Sequence, residues 1–241
     1  MKLYLYCVLP HGDFPPAGVD GMMGKPLAAF PFESLAVISS EFDGDVVQIS
    51  RENVLKHSSV INSVLDRSTP LPFRFGTVAD EPELLSFINA RHEAIVDRLS
   101  QIQGYVEMSV KIIWDPALPE TTEADKEETG SGGAGTAFLE EKRRELNAHE
   151  GRVRLAEELA ATLGNRIESL ARENDVSLRP NEKLVLAASH LVERKSILAY
   201  REALAIFAME RVDLRFLVSG PWAPYSFANI DLEFKTHFGV S

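Results

Sequence analysis

The sequence predicts an α+β protein of two domains, and three observations carry that prediction. Short runs with a period of two alternate with longer runs of helical period, and two of the strands frame a turn dipeptide. The stretch from Ala117 to Thr136 has no aromatic residue, holds five acidic side chains against one lysine, and ends in glycines. It cannot bury enough surface to offset its ordering entropy, so it reads as a linker (117–136) between domains 1–116 and 137–241. Beyond it the chain opens with a helix pattern longer than any before it.

The elements follow in order. Leu3 to Leu9 alternates Leu3, Leu5 and Cys7 with Tyr4 and Tyr6, which predicts a first strand rather than a signal peptide. Pro10 to Pro31 is rich in Gly and Pro and reads as a long loop. Ser34–Ser39 and Asp45–Ile49 read as a hairpin around Asp43-Gly44. Arg51 to Leu65 sets Val54, His57, Ile61, Val64 and Leu65 on one helical face. Leu71 to Val78 reads as a strand entered through Pro70 and Pro72.

Asp80-Glu81-Pro82-Glu83 then opens a helix. Asp80 is placed to cap the free amides, Glu83 holds the reciprocal position and Pro82 fits the first turn. The stripe Leu84, Leu85, Ile88, His92, Ile95, Leu99 and Ile102 runs to a stop at Gly104. Tyr105–Ile113 is a strand with Val106, Met108, Val110 and Ile112 on one face. This order fits a modified ferredoxin-like sheet with helices on one face.

In the C-terminal domain a helix is expected from Phe138 to Asn174. Its apolar seam is interrupted by Lys142 and His149 and becomes continuous from Val153. Leu184–Val192 reads as a strand, and Glu193–Ala208 as a helix with Ile197, Tyr200, Leu204 and Phe207 inward. Val212–Val218 is the last strand, stopped by Gly220 and Pro221 because proline lacks the ladder's amide proton. An aromatic, proline-containing tail occupies 219–241.

Composition excludes several classes of function. The 241 residues are 45% hydrophobic, enough for a real core, and no run approaches the apolar length of a membrane span. A net charge of −11 argues against nucleic-acid binding and against an anionic membrane surface. The single Cys7 forms no disulfide within the chain and fits a reducing cytoplasm.

No catalytic, cofactor or metal constellation is legible. His11, His57, His92, His149, His190 and His237 show no metal-ligand spacing, and His57, His92 and His149 lie on or near apolar helix stripes. Gly130 to Gly135 leads into no phosphate-loop lysine. Ser39, Ser189 and Ser219 are in no nucleophile-elbow setting. Glu140, Glu141, Glu157 and Glu158 sit among arginines as surface pairs. Arg74 between Phe73 and Phe75 is open to two readings. Either its stem lies over the sheet and its head meets water, or the guanidinium is inward or interfacial and is satisfied by carboxylates or carbonyls.

Two segments carry a resemblance. Pro72-Phe73-Arg74-Phe75-Gly76-Thr77 resembles a proline-x-Arg-Phe-Gly-Thr block, and Ser219-Gly220-Pro221-Trp222-Ala223-Pro224-Tyr225-Ser226-Phe227 a Gly-Pro-Trp-Pro-Pro-Tyr-Ser-Phe block, of the gas vesicle protein F/L family. Leu3–Tyr6 and Glu107–Lys111 match as well, so the likeness covers the chain apart from the linker. Ala223 stands where the family has the first of two prolines.

The resemblance implies a cytoplasmic, non-enzymatic accessory protein associated with the gas vesicle. Its partners would be the major shell protein and other gas vesicle accessory proteins, and it would act as assembly chaperone or as minor vesicle component. It marks Arg74, Phe75, Gly76, Thr77, Gly220, Pro221, Trp222, Pro224, Tyr225 and Phe227 as structural or partner-contact residues. Trp222, Tyr225 and Phe227 are expected to fold back onto the chain's own domains.

Overall fold

The computed structural model describes residues 2–12, 18–44, 46–114, 134–178, 180–181, 183–228 and 238–239. In 134–148, side chains are described only at 142, 143, 146 and 147. Most of the expected linker, 117–133, lies outside the described residues. The chain divides into two compact units that interleave in sequence. One comprises Met1–Glu107, Leu191–Arg194 and Gly220–Ser241, and the other Met108–His190 and Lys195–Ser219. The aromatic tail, expected with the C-terminal domain, therefore belongs to the unit that begins at the N-terminus.

The first unit is organised by strand β1 (Lys2–Pro10), of which Leu3 to Leu9 are all buried. It pairs antiparallel with β3 (Leu35–Phe42), which pairs in turn with β2 (Leu27–Phe32). Two short strands, β5 (Leu71–Pro72) and β6 (Val78–Asp80), share its other edge. Pairing with β3 steps from Leu5↔Ser39 to Cys7↔Ile38, so one extra residue bulges out of β1. The bulge resets the alternation. Leu3, Leu5 and Val8 face one core, whereas Tyr4, Tyr6, Cys7 and Leu9 face another.

The helices divide these faces between them. Helix α1 (Arg51–Leu65) contributes Val60, Ile61 and Val64 to the tyrosine side, whereas Val54, expected on the same stripe, is exposed in the first turn, before the helix meets the core. Helix α2 (Glu81–Ile102) contributes Leu84, Phe87, Ile88, Ile95, Leu99 and Ile102 to the other. The sheet is thus covered on both faces rather than on one, as a strand apolar at every position requires. The capping box of α2 forms as expected: Glu83 N donates to Asp80 Oδ1 at 2.8 Å, and Asp80 N to Glu83 Oε2 at 3.0 Å.

The first hairpin differs from its expectation. It joins β2 to β3 through Glu33 and Ser34, and Glu33 takes φ of +48°, a conformation its residue type gives no hint of. The Asp43-Gly44 turn leads instead to β4 (Val47–Gln48), which pairs in parallel with β11 (Phe238–Gly239). The expected strand 71–78 is interrupted by a turn at Arg74–Thr77.

The second unit is built on a four-stranded sheet ordered β10-β7-β9-β8. Its strands are β7 (Tyr105–Trp114), β8 (Ala171–Ser177), β9 (Leu184–Glu193) and β10 (Leu214–Trp222). Among its described side chains, helix α3 (Ala134–Ile167) buries Ala156, Leu159, Leu163 and Ile167, all in its second half. It ends seven residues before the expected Asn174. The polar run that follows forms edge strand β8, whose pairing outweighs the helix-like composition of Ala171–Asn174. Helix α4 (Ile197–Glu210) buries Tyr200, Leu204 and Phe207. Strand β10 starts two residues later than expected and runs on through Gly220 and Pro221, across a cis peptide bond, to Trp222.

A Cβ added at Gly21 would lie 2.7 Å from both Ser40 Cβ and Tyr6 Oη. Gly21→Ala is expected to destabilise the protein by about 1–3 kcal/mol in urea unfolding. Gly164→Ala, inside α3 with no heavy atom within 4 Å of the new methyl, is expected to stabilise it by about 0.5–1 kcal/mol.

Candidate functional site

The two signature segments meet on the tyrosine side of β1. Thr77 N and Thr77 Oγ1 both donate to the Arg74 carbonyl, at 3.2 and 2.7 Å, which closes a four-residue turn. Gly76 holds its third position with φ of +83°, where only glycine sits without strain. The turn is sewn to β1 by Leu5 N to Thr77 O (3.0 Å) and Phe73 N to Tyr6 O (2.8 Å). Gly76 N also donates to Tyr4 Oη at 3.1 Å. Arg74 is exposed, so its guanidinium does not turn inward, and its carbonyl serves the turn.

Behind the turn sits His57 of α1, buried among rings. Tyr6 stacks on it with centroids 5.7 Å apart, and Phe75 meets it edge-on at 5.8 Å. Its Nδ1 lies 2.9 Å from Tyr4 Oη and its Nε2 3.2 Å from Tyr225 Oη. A neutral ring satisfies both contacts, one nitrogen accepting and the other donating. Burial lowers the His57 pKa to about 4, the Phe73 backbone opposing this in part. Burial likewise raises the phenols of Tyr4, Tyr6 and Tyr225 and the thiol of Cys7. Near neutrality all five groups are uncharged, and the cluster works as packed, hydrogen-bonded structure.

The tail closes over this cluster within the same unit. Ala223 and Pro224 are buried, and Phe227 is sunk among Leu84, Ile88, Ile95 and Leu99 of the α2-side core. Phe227 N to Pro224 O at 3.2 Å makes the turn that aims this ring inward. Glu107 of β7 grips Ser226 twice, its Oε2 accepting from the amide and its Oε1 from the hydroxyl, each at 2.8 Å. Arg98 of α2 donates from Nε to the Phe227 carbonyl at 2.7 Å and from Nη1 to Gln101 at 3.0 Å. Trp222 and Tyr225 each keep 41% of their surface exposed, although the Tyr225 hydroxyl is sealed against His57.

Of the residues singled out in the sequence, Phe75, Gly76, Tyr225 and Phe227 thus enter the cluster or its cover directly. Gly220, with φ of +117°, and Pro221 carry β10 toward it. Sequence reasoning missed Arg98 and Glu107 as the tail's anchors. The available signal was Arg98 between Ile95 and Leu99 on an apolar stripe, and Glu107 between Val106 and Met108 in a strand.

The second unit offers a different surface. Opposite Tyr200, Leu204 and Phe207, helix α4 exposes Leu198, Ala205, Ile206 and Met209 beside the charged Arg201 and Glu202, and Val212 follows. Met209 and Val212 are each 77% exposed, so the outer face lies open to water. Among the described residues no group of three or more His, Cys, Asp or Glu side chains forms a metal site. No helix among them is long and apolar enough to cross a membrane.

Comparison with known proteins gives a consistent result. The family model described as gas vesicle synthesis protein GvpL/GvpF matches residues 2–229. Gas vesicle protein L2 of Halobacterium salinarum is 27% identical, with 93% of this chain and 90% of that protein aligned. Gas vesicle protein L of a Streptomyces species is 25% identical, over 94% and 92%. The crystal structure of GvpF from an Anabaena species superposes with a TM-score of 0.75 at 21% identity, covering 95% of this chain and 98% of that one.

Two outcomes are expected of the cluster. His57 and, in the second unit, His190 beside Tyr200 (2.6 Å) are held near pKa 4, below their ordinary value of 6.5. The unfolded chain therefore takes up protons first as pH falls. Stability is complete above about pH 6.5 and declines toward pH 4, by up to about 3 kcal/mol per histidine, and His57→Gln shallows the slope of urea-unfolding free energy against pH. Glu107→Ala removes both Ser226 contacts, and should cost about 2 kcal/mol and speed hydrogen exchange at the Ser226 amide.

Proposed function

The chain belongs to the gas vesicle synthesis protein GvpL/GvpF family, and from that premise we propose that it binds the major gas vesicle shell protein and assists vesicle formation. It acts there without catalysis, as an assembly chaperone or as a minor component kept on the vesicle, alongside other gas vesicle accessory proteins. The observation that supports the reading is the outer face of α4. Leu198, Ile206 and Met209 flank Glu202 on the exposed face of a helix whose opposite face is already buried. A water-exposed apolar helix face gains from a second apolar element laid along it. The shell protein, which the resemblance gives as small and strongly hydrophobic, supplies such an element until assembly takes it up.

The signature segments have a separate place in this reading. Arg74–Thr77 and Pro224–Phe227 hold the first unit together, while Trp222 and Tyr225 each keep part of their surface exposed.

Co-expression with the shell protein, capture and crosslinking mass spectrometry test the proposal. Leu198→Gln, Ile206→Gln and Met209→Gln together are expected to lower shell-protein capture about tenfold while leaving the melting temperature within a few degrees. Undiminished capture, or crosslinks confined to the first unit, would move the contact elsewhere. Washed, purified vesicles that retain the protein identify it as a component, and vesicles free of it as a chaperone.

A further inference from the structure

One carboxylate stands at the centre of the exposed face of α4. On a helix the neighbours of residue 202 lie three and four positions away, and here all four are apolar: Leu198, Ala199, Ala205 and Ile206. Each of them is exposed, as is Glu202 itself. Tyr200, Leu204 and Phe207 bury the other side, so at 3.6 residues per turn Glu202 points away from the core. It has no cation within reach along its own face of the helix. Arg201, next in sequence, projects about 100° further round and has an interaction of its own. Among the described residues no ion pair holds the Glu202 carboxylate.

A charge in this position selects what can cover the face. A wholly apolar element would strip the carboxylate of its hydration and leave it unpaired. A second copy of α4, laid antiparallel about a two-fold axis at position 202, sets Glu202 against Glu202, and two chains of charge −11 repel besides. An element that brings a lysine or arginine to this point turns the same charge into an attraction. The relief of the face suits a helix. Leu198, Glu202 and Ile206 form a ridge at intervals of four, and Ala199 and Ala205 leave shallow grooves on its two sides.

We propose that the outer face of α4 docks an α-helix of the shell protein whose apolar stripe carries one basic side chain opposite Glu202. This pairing rests on the binding proposed above, and gives it a form and a selecting charge. Unpaired, the carboxylate keeps an apolar face hydrated and copies of the chain apart. Paired, it fixes the register of the bound helix, since only one alignment brings the two charges together.

The test co-expresses the full chain with the shell protein and measures capture by quantitative mass spectrometry. Glu202→Lys is expected to lower capture about tenfold with unchanged melting, because the side chain is exposed and unpaired. Against that variant each Lys and Arg of the shell protein is reversed in turn to Glu, and one reversal restores capture. Leu198→Cys and Ile206→Cys, in a chain whose own Cys7 is buried, then crosslink to shell-protein cysteines spaced three and four residues apart around the rescuing position. Three results overturn the pairing and leave shell-protein binding by this face standing. They are loss of capture with Leu198→Gln, Ile206→Gln and Met209→Gln together but not with Glu202→Lys, a loss at position 202 that no reversal restores, and crosslinks at every second residue, as a strand would give. Capture undiminished by the triple variant and by Glu202→Lys alike overturns both.

Discussion

A strand buried on both faces leaves its side-chain polar atoms no access to water, and β1 carries two phenols into that position. Each must find protein partners, because a buried hydroxyl without one costs a few kcal/mol. Tyr6 finds the Met22 amide at 2.6 Å and Ser40 at 3.1 Å. Tyr4 finds the Gly76 amide and His57. These needs dictate much of what surrounds them. The Gly21–Met22 segment has to pack against the strand, the Phe75-Gly76 turn has to present an amide, and α1 has to bring a histidine. The bulge that places Tyr6 and Cys7 on the same side is what concentrates this chemistry on one face.

His57 extends the same logic to the chain's far end. With one nitrogen engaged by Tyr4, its other reaches Tyr225, so the tail's phenol completes a line that starts at β1. Glu107 and Arg98 then secure the residues after Tyr225, and Phe227 adds about 2–3 kcal/mol of apolar burial. Arg74-Phe75-Gly76-Thr77 and Pro224-Tyr225-Ser226-Phe227 are thus linked through one buried aromatic cluster.

Local chemistry made much of the fold legible. The α2 capping box, the apolar stripes of α1 and α2, the alternation in β7 and the firm second half of α3 all follow from neighbouring residues. What escaped depends on partners distant in sequence. Strand β8 is mostly polar and exists through its pairing, and the β2–β3 turn rests on a glutamate in a left-handed conformation. The division of α1 and α2 between two faces was implicit in a strand with no polar gap, but a single extra residue in its pairing decides which side chain joins which core. Within the site, the glycine and aromatic positions were visible. Arg98 and Glu107 could be picked out as charges among apolar neighbours, but not matched to their targets, which lie 129 and 119 residues away.

The interleaving of the units bears on the order in which the molecule is completed. A ribosome delivers the β1 sheet and α2 first, yet Phe227, which fills part of their core, emerges about 130 residues later. At ordinary elongation rates that interval is roughly ten seconds. Throughout it the nascent N-terminal unit shows an unfilled apolar socket, while Met108–His190 has all been made before the socket's own plug. The part of the protein synthesised first is the part finished last.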